Sequence, residues 1–174
     1  NHELQERMKQ VRRVKSIEET KILFEWLSGG TLESLQQKLS SLADCCVERS
    51  TRSYLLQQST DAKHQVSEQQ QWAVLALGKL GGRELTIHSD LDLVFLYEGD
   101  PQDVETFTIY QSFARSIQEF LEETTSEGFA YRIDTRLRPE GSKGALALPR
   151  CAFESYLKNR AELWERLAWT RYRF

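Results

Sequence analysis

Apolar residues in the first third of the chain recur every three or four positions, which is the period of an amphipathic helix. Gly29-Gly30 interrupts the pattern, and Thr31 is a suitable N-cap for a second helix. That helix carries an apolar stripe made of Leu32, Leu35, Leu39, Leu42 and Cys46. We therefore predict a helical segment over residues 1–58 that serves packing rather than chemistry.

The character of the sequence changes after this segment. Residues 59–71 are polar, include three consecutive glutamines and are predicted to form a surface linker. From Trp72 onward the apolar run WAVLALG is typical of a buried strand, and residues 91–97 (LDLVFLY) form a second such run. A glycine-rich turn over residues 78–82 separates the two predicted strands.

The remaining sequence predicts two further helices and a third strand. Helical periodicity covers residues 103–125, and clean alternation over residues 129–138 predicts a strand. A final helix is predicted from about Arg150 to the end of the sequence. Residues 72–174 thus read as an α/β (α+β) domain with a mixed sheet flanked by helices. Because the sequence lacks an initial methionine and stops within the last predicted helix, we expect a fragment truncated at its C-terminus.

Composition and charge narrow the possible functions. The 174 residues include 23 basic and 26 acidic side chains, a net charge of −3, which gives no electrostatic reason to expect nucleic acid as a partner. No apolar run approaches the roughly 20 residues that a membrane-spanning helix needs, so no membrane partner is expected. The three cysteines are sparse and are interpreted as reduced thiols of a cytoplasmic protein.

Two carboxylates, Asp90 and Asp92, open the second predicted strand. Side chains two residues apart on a strand share a face, so these two lie side by side. Like charges this close raise each other's pKa unless a cation lies between them, and hard oxygen ligands suit magnesium. The spacing alone favours an ordinary turn at the beginning of a strand, in which Asp90 caps a loop and Asp92 is exposed.

The third predicted strand presents Arg132, Asp134, Arg136 and Arg138 on one face. If this strand lies beside the second, Asp134 adds a third carboxylate and the arginines offer positive charge to phosphates. The alternative is an exposed strand face whose ion pairs have no catalytic role.

The turn between the first two strands contains Gly78, Lys79, Gly81 and Gly82. Glycines let a backbone approach a phosphate closely, although a plain tight turn explains them equally well. The turn is neither a Walker loop nor a dinucleotide fingerprint.

Taken together, these motifs resemble the nucleotidyltransferase superfamily, in which a glycine precedes an Asp-x-Asp pair and a later strand supplies a third Asp. The runs GKLGGRELTIHSDLDLVFLY, YRIDTRLRPEGSKGALAL and WERLAWTR closely resemble the glutamine synthetase adenylyltransferase family over about residues 72–172. That family has two homologous catalytic halves, which attach AMP to a tyrosine of glutamine synthetase and remove it. The motifs YRIDTRLRP and WER are more similar to the deadenylylating half, and the direction of reaction stays open.

The resemblance implies a nucleotidyltransferase-like fold and a set of site residues. Asp90, Asp92 and Asp134 would hold two Mg²⁺ ions, with ATP, or phosphate and ADP, as substrates. The residues implied to bind nucleotide are Gly78, Lys79, Gly81, Gly82, Ser89, Arg136 and Arg138. Many superfamily members have a serine directly after the first glycine; here Lys79 stands there, so Lys79 or Ser89 would replace it in holding phosphate.

The resemblance also implies glutamine synthetase as the protein substrate and, in the complete protein, the PII signal protein as a regulator. Two alternatives stay open at this stage. One is a nucleotidyltransferase with a different acceptor, and the other is a regulatory module that binds nucleotide without turnover.

Overall fold

The structure, a computed structural model, describes residues 2–57, 66 and 71–174. The predicted linker, residues 59–71, lies outside the described residues except for Val66 and Gln71. A helical hairpin comes first in the chain, and a mixed sheet flanked by helices follows it, as the sequence predicts. None of the helices in the described ranges has the length and apolar character needed to cross a bilayer.

The hairpin consists of α1 (His2–Leu27) and α2 (Leu32–Gln57). Gly29 adopts a φ of +109° between them, and the Thr31 hydroxyl accepts a hydrogen bond from the Ser34 amide at 3.2 Å, which confirms the predicted cap. Leu35, Leu39 and Cys46 of the predicted stripe are buried and Leu42 is half-buried, whereas Leu32 is exposed at the hairpin end. The buried side of the hairpin shares one hydrophobic core with the sheet and with α4 (Val104–Glu122).

The central strand of the sheet is β2 (Leu91–Tyr97), which has the predicted bounds. It pairs antiparallel with β1 (Trp72–Ala76) on one side. On its other side it pairs in parallel with two short strands, β3 (Ile133–Asp134) near its beginning and β4 (Ala147–Pro149) near its end. The beginning of β2, where Asp90 and Asp92 lie, is therefore placed between the end of β1 and β3.

Helix α4 covers the sheet and holds the core together. Asp103 caps its first turn by accepting hydrogen bonds from the Glu105 and Thr106 amides, at 3.0 and 3.2 Å. Its buried face stacks Tyr110 on Tyr97 of β2, with ring centroids 4.2 Å apart. The predicted helix over residues 103–125 is thus confirmed, with its end at Glu122.

The prediction of a long third strand over residues 129–138 is wrong. Only Ile133 and Asp134 pair with β2, because the amides of Ala130 and Tyr131 are bonded to the Leu121 carbonyl at the end of α4. After Asp134 the chain turns, with the Arg138 amide donating to the Thr135 carbonyl at 3.3 Å. The alternating face that the sequence indicates therefore ends at Asp134.

The prediction of one continuous final helix is also wrong. The chain forms α5 (Arg150–Asn159) and α6 (Leu163–Ala168), separated by a break at which the Arg160 and Ala161 amides both bond to the Tyr156 carbonyl. The last residues form no helix: after a 3₁₀ turn over Trp169–Arg171 the backbone is extended, and Arg173 pairs with Ala76. This pairing places the end of the chain against the outer edge of β1.

A buried arginine that the sequence analysis did not single out joins α1 to α4. Arg12 is only 2% exposed, and its guanidinium donates to the carbonyls of Phe120 and Glu123 at 2.8 and 2.6 Å. It also donates to Gly128, at 2.8 Å, and to Met8 of its own helix, at 2.9 Å. Arg12 therefore supplies donors to carbonyls at the end of α4, which have no partner within the helix.

We expect the Arg12→Ala variant to lose about 2–4 kcal/mol of unfolding free energy, because it leaves several buried carbonyls without donors. Urea denaturation monitored by circular dichroism measures the loss. Arg13→Ala is the matched control: Arg13 is the next residue on α1, its side chain is 64% exposed, and it forms an ion pair with Glu127. We expect that control to change stability by less than about 0.5 kcal/mol. Equal effects of the two variants would contradict the assigned role of Arg12.

Candidate active site

Two of the three predicted carboxylates occupy facing positions on neighbouring strands. Asp92 of β2 is in register with Asp134 of β3, and Asp90 precedes Asp92 by two residues. Burial raises the pKa of Asp92 above its ordinary value, and the negative charges of Asp134 and then Asp90 raise it further. The beginning of β2 therefore gathers negative charge at a half-buried position.

Arg136 neutralises Asp134 directly. Its Nε donates to both carboxylate oxygens, at 3.0 and 2.9 Å, its Nη2 donates to Oδ2 at 2.5 Å, and its amide donates to Oδ1 at 2.8 Å. The hydrogen bond from Arg136 is the main reason why the pKa of Asp134 lies below its ordinary value. The Arg136 side chain is 80% exposed, so the same guanidinium is also accessible to a ligand.

Arg138 does not share this face, contrary to the sequence expectation. The turn after Asp134 buries it, and its Nε donates to the Gly141 carbonyl at 2.9 Å. It lines a separate cavity of about 470 Å³ together with Arg115 and Glu119 of α4. The structure thus brings Arg136 to the carboxylates and assigns Arg138 to the loop that follows.

The glycine-rich turn folds as a single helical turn, α3 (Gly78–Gly81), directly after β1. Gly78 has a φ of +54°, and a Cβ at this position would lie 2.2 Å from Oδ2 of Asp92. Both the backbone conformation and the contact therefore favour glycine. The backbone at Gly78 approaches the Asp92 side chain closely and thereby positions it. The spacing of residues in the sequence does not reveal this contact.

The other two glycines of the turn have different surroundings. A Cβ on Gly81 would lie 2.0 Å from the Arg171 carbonyl oxygen, so this glycine makes room for the C-terminal segment. Gly82 is exposed and donates its amide to the Gly78 carbonyl at 3.1 Å.

Lys79 and Ser89 are joined through a residue that the sequence analysis missed, Thr86. The Lys79 ammonium lies 3.3 Å from the Thr86 hydroxyl, which is 2.7 Å from the Ser89 hydroxyl. Lys79 also lowers the pKa of Asp92 through its charge, although less than Arg136 does. One polar chain thus connects both residues implied to hold phosphate, next to the carboxylates.

The donor set matches magnesium in type, because three carboxylates provide the hard oxygen ligands that this ion prefers. The raised pKa of Asp92 marks a negative charge that a cation would stabilise. Within the described part of the chain, however, no three acidic, histidine or cysteine side chains are gathered tightly enough to hold a metal ion as they stand. Both oxygens of the Asp134 carboxylate are instead bonded to the Arg136 guanidinium.

The architecture defines the class of the protein. A mixed sheet flanked by helices, with carboxylates in register where β2 and β3 begin, is the α/β fold expected of nucleotidyltransferases. Comparison with known sequences then gives the family. The profile described as Glutamate-ammonia ligase adenylyltransferase matches residues 1–174, and the chain belongs to this family. The resemblance indicated by the sequence motifs is thereby confirmed.

The chain is similar to curated proteins named bifunctional glutamine synthetase adenylyltransferase/adenylyl-removing enzyme. The protein from Chromobacterium violaceum is 40% identical over 144 residues, which cover 83% of this chain and 15% of that relative. The protein from Stenotrophomonas maltophilia strain K279a is 36% identical over 177 residues, covering 94% of this chain and 19% of that relative. The chain therefore spans less than a fifth of the length of these relatives.

Proposed function

We propose that this domain catalyses adenylyl transfer at a tyrosine of glutamine synthetase, with magnesium bound at the carboxylates. In one direction ATP supplies the AMP group; in the other, phosphate removes that group and ADP forms. The observation that carries the proposal is the pairing of Asp92 with Asp134 in register, beside a glycine whose missing Cβ leaves room for Asp92. The names of the relatives supply the substrate.

The carboxylates have distinct roles in this proposal. Asp90 and Asp92 would hold the divalent ions, and Asp134 would be a further ligand in place of its contact with Arg136. Bound magnesium would offset the charge that develops on the phosphate oxygens during an in-line displacement. Asp134 accepts the proton of the tyrosine hydroxyl. The tyrosine oxygen bonds to the α-phosphorus of ATP as pyrophosphate leaves. In the removal reaction a phosphate oxygen bonds to that phosphorus, and the tyrosine oxygen leaves and regains a proton.

The cations in this proposal bind the phosphates. Arg136 is exposed and exchanges its carboxylate partner for phosphate oxygens, a contact suited to the planar guanidinium. Lys79 and the hydroxyls of Thr86 and Ser89 form one polar chain and complete the phosphate contacts. Positioning and charge stabilisation are the main sources of rate in phosphoryl-type transfer.

The function is tested by incubating the 174-residue chain with glutamine synthetase, magnesium and ATP, and in parallel with adenylylated glutamine synthetase, magnesium and phosphate. Intact-mass measurement of glutamine synthetase detects the gain or loss of AMP. Gain or loss on a single tyrosine supports the proposal. Nucleotide binding without any transfer would instead support a regulatory module.

We expect ATP to bind only in the presence of a divalent cation. Three carboxylates lie at the site, and Arg136 and Lys79 together cannot offset both these charges and a triphosphate. Calorimetric titration with ATP should give a dissociation constant at least about tenfold higher in chelator than in magnesium. Equal affinity under the two conditions would mean that the carboxylates do not face the phosphates.

A further inference from the structure

A cavity of about 270 Å³ opens beside Asp90, and its lining includes Ser89, which ends the polar chain from Lys79. Its inner wall comes from Lys15 and Glu19 of α1, and its other wall comes from the segment Gly128–Arg132. The N-terminal hairpin, predicted to serve packing alone, therefore contributes side chains next to a candidate catalytic carboxylate.

The topology of the sheet fixes where this cavity lies. Gly78 follows β1, on one side of β2, whereas Arg132 precedes β3, on the opposite side. A backbone hydrogen bond confirms the position of Arg132 beside β2, because the Leu91 amide donates to the Arg132 carbonyl at 2.9 Å. The glycine turn and the Gly128–Arg132 wall of the cavity thus flank the beginning of β2 from opposite sides, while Ser89 lines the cavity and connects to Lys79 through Thr86.

The lining of the cavity suits one aromatic ring. The Arg132 guanidinium lies over the Phe129 ring, 4.4 Å from its centroid, and Phe129 is 44% exposed. Deeper in the cavity, the Lys15 ammonium lies 4.7 Å from the Tyr131 ring centroid and pairs with Glu19 at 2.9 Å. The lysine charge is thus already compensated, and the accessible rim offers a stacking surface made of an aromatic ring and a guanidinium.

We propose that this cavity binds the aromatic ring of the acceptor tyrosine, and that Phe129 and Arg132 determine acceptor specificity. The inference rests on the proposed function. An in-line displacement requires the entering and leaving groups to lie on opposite sides of the phosphorus. With the leaving phosphates on the Lys79 side of β2, the hydroxyl enters from the opposite side, where the cavity opens toward Asp90.

The size of the cavity also favours a single side chain over a nucleotide. Sites that hold drug-sized ligands usually measure roughly 300–1,000 Å³, and this cavity is smaller than that range. The adenine base is the competing occupant, because it too stacks on aromatic rings. The two occupants predict different effects of replacing Phe129. Its loss weakens binding of the acceptor if the tyrosine ring occupies the cavity, and binding of the nucleotide if the adenine base does.

The test compares Phe129→Ala with Phe107→Ala, a partly exposed phenylalanine on α4 that does not line the cavity. Binding of N-acetyl-tyrosinamide to the 174-residue chain is followed by NMR, and ATP–magnesium binding is followed by calorimetry. Steady-state transfer is measured against glutamine synthetase in both modification states. We expect Phe129→Ala to weaken the tyrosinamide, and to raise KM for the protein acceptor, by about tenfold. ATP binding and the Phe107→Ala variant should match the wild type.

The outcomes separate this inference from the proposed function. Weakened ATP binding in Phe129→Ala would place the base in the cavity and overturn the inference. Unchanged binding of both tyrosinamide and ATP would also overturn it. If the wild type transfers no AMP but binds tyrosinamide through Phe129, the proposed function fails and the aromatic subsite stands. Arg132→Ala serves as the second variant and should weaken the tyrosinamide in the same way.

Discussion

Replacing Asp92 by asparagine is expected to abolish adenylyl transfer without lowering the melting temperature. The pKa of Asp92 responds to the charges of four neighbours, Asp134, Asp90, Arg136 and Lys79. Asparagine has nearly the same shape but carries no charge for a divalent ion, so transfer should fall about a thousandfold or more. Intact-mass assays of glutamine synthetase measure the loss, and calorimetry should show weaker ATP–magnesium binding.

The stability part of this prediction follows from the direction of the pKa shift. Because folding raises the pKa of Asp92, ionising this group costs the folded state stability as the pH rises through the folded pKa. The asparagine variant avoids that cost, so its melting temperature at pH 7 should equal or slightly exceed that of the wild type. The difference should vanish below about pH 3.9, where Asp92 is protonated in both the folded and the unfolded chain.

Asp100→Asn is the matched control for Asp92→Asn. Asp100 is an exposed residue before α4, and its carboxylate accepts only from the Gln102 amide, at 2.8 Å, among the contacts of the described residues. We expect its transfer rate to equal that of the wild type. An Asp92→Asn variant that melts lower and still transfers AMP would show that Asp92 is structural.

Replacing Gly78 by alanine is expected to impair both activity and folding. The added Cβ would lie 2.2 Å from Oδ2 of Asp92, and the left-handed φ of +54° disfavours alanine independently. Since a misplacement of about 1 Å can cost a hundredfold in rate, transfer should fall at least about a hundredfold. The unfolding free energy should fall by about 1–3 kcal/mol, measured by urea denaturation.

Gly29→Ala separates the two causes in this prediction. Gly29 also has a left-handed φ, +109°, but a Cβ there would meet no atom within 4 Å, and the residue lies in the α1–α2 turn. This control should lose stability from backbone strain and retain full transfer activity. A Gly78→Ala variant that behaves like Gly29→Ala would show that the contact with Asp92 does not position the carboxylate.

Several features of the chain follow from local sequence alone. Strand β2 has its predicted bounds because LDLVFLY is a short apolar run delimited by polar turns, and such runs are buried in most folds. The Thr31 cap and the break at Gly29-Gly30 are equally local, since they depend on residues within one helical turn. Asp92 lies in β2 and Asp90 lies directly before this strand, which places both at the beginning of the strand, as the sequence predicts.

Tertiary structure decided the features that depend on distant partners. The segment over residues 129–138 alternates like a strand, yet it pairs only at Ile133 and Asp134, because the end of α4 takes the preceding amides. The turn after Asp134 separates Arg136, which lies at the carboxylates, from the buried Arg138. Gly78 reads as a turn glycine, and only the packing of α3 against β2 reveals that it makes room for Asp92.

The contacts of Arg12, Lys15 and Arg173 show why the packing of distant elements could not be predicted from the sequence. Arg12 bonds to carbonyls more than a hundred residues away, and Lys15 reaches the Asp90 cavity only because α1 packs there. Arg173 pairs with Ala76 across a similar separation. Periodicity reports which face of an element is apolar, and it carries no information on which distant element covers that face. Local patterns therefore determined β2, the break between the first two helices and the spacing of Asp90 and Asp92, while long-range packing determined the neighbours that make them a site.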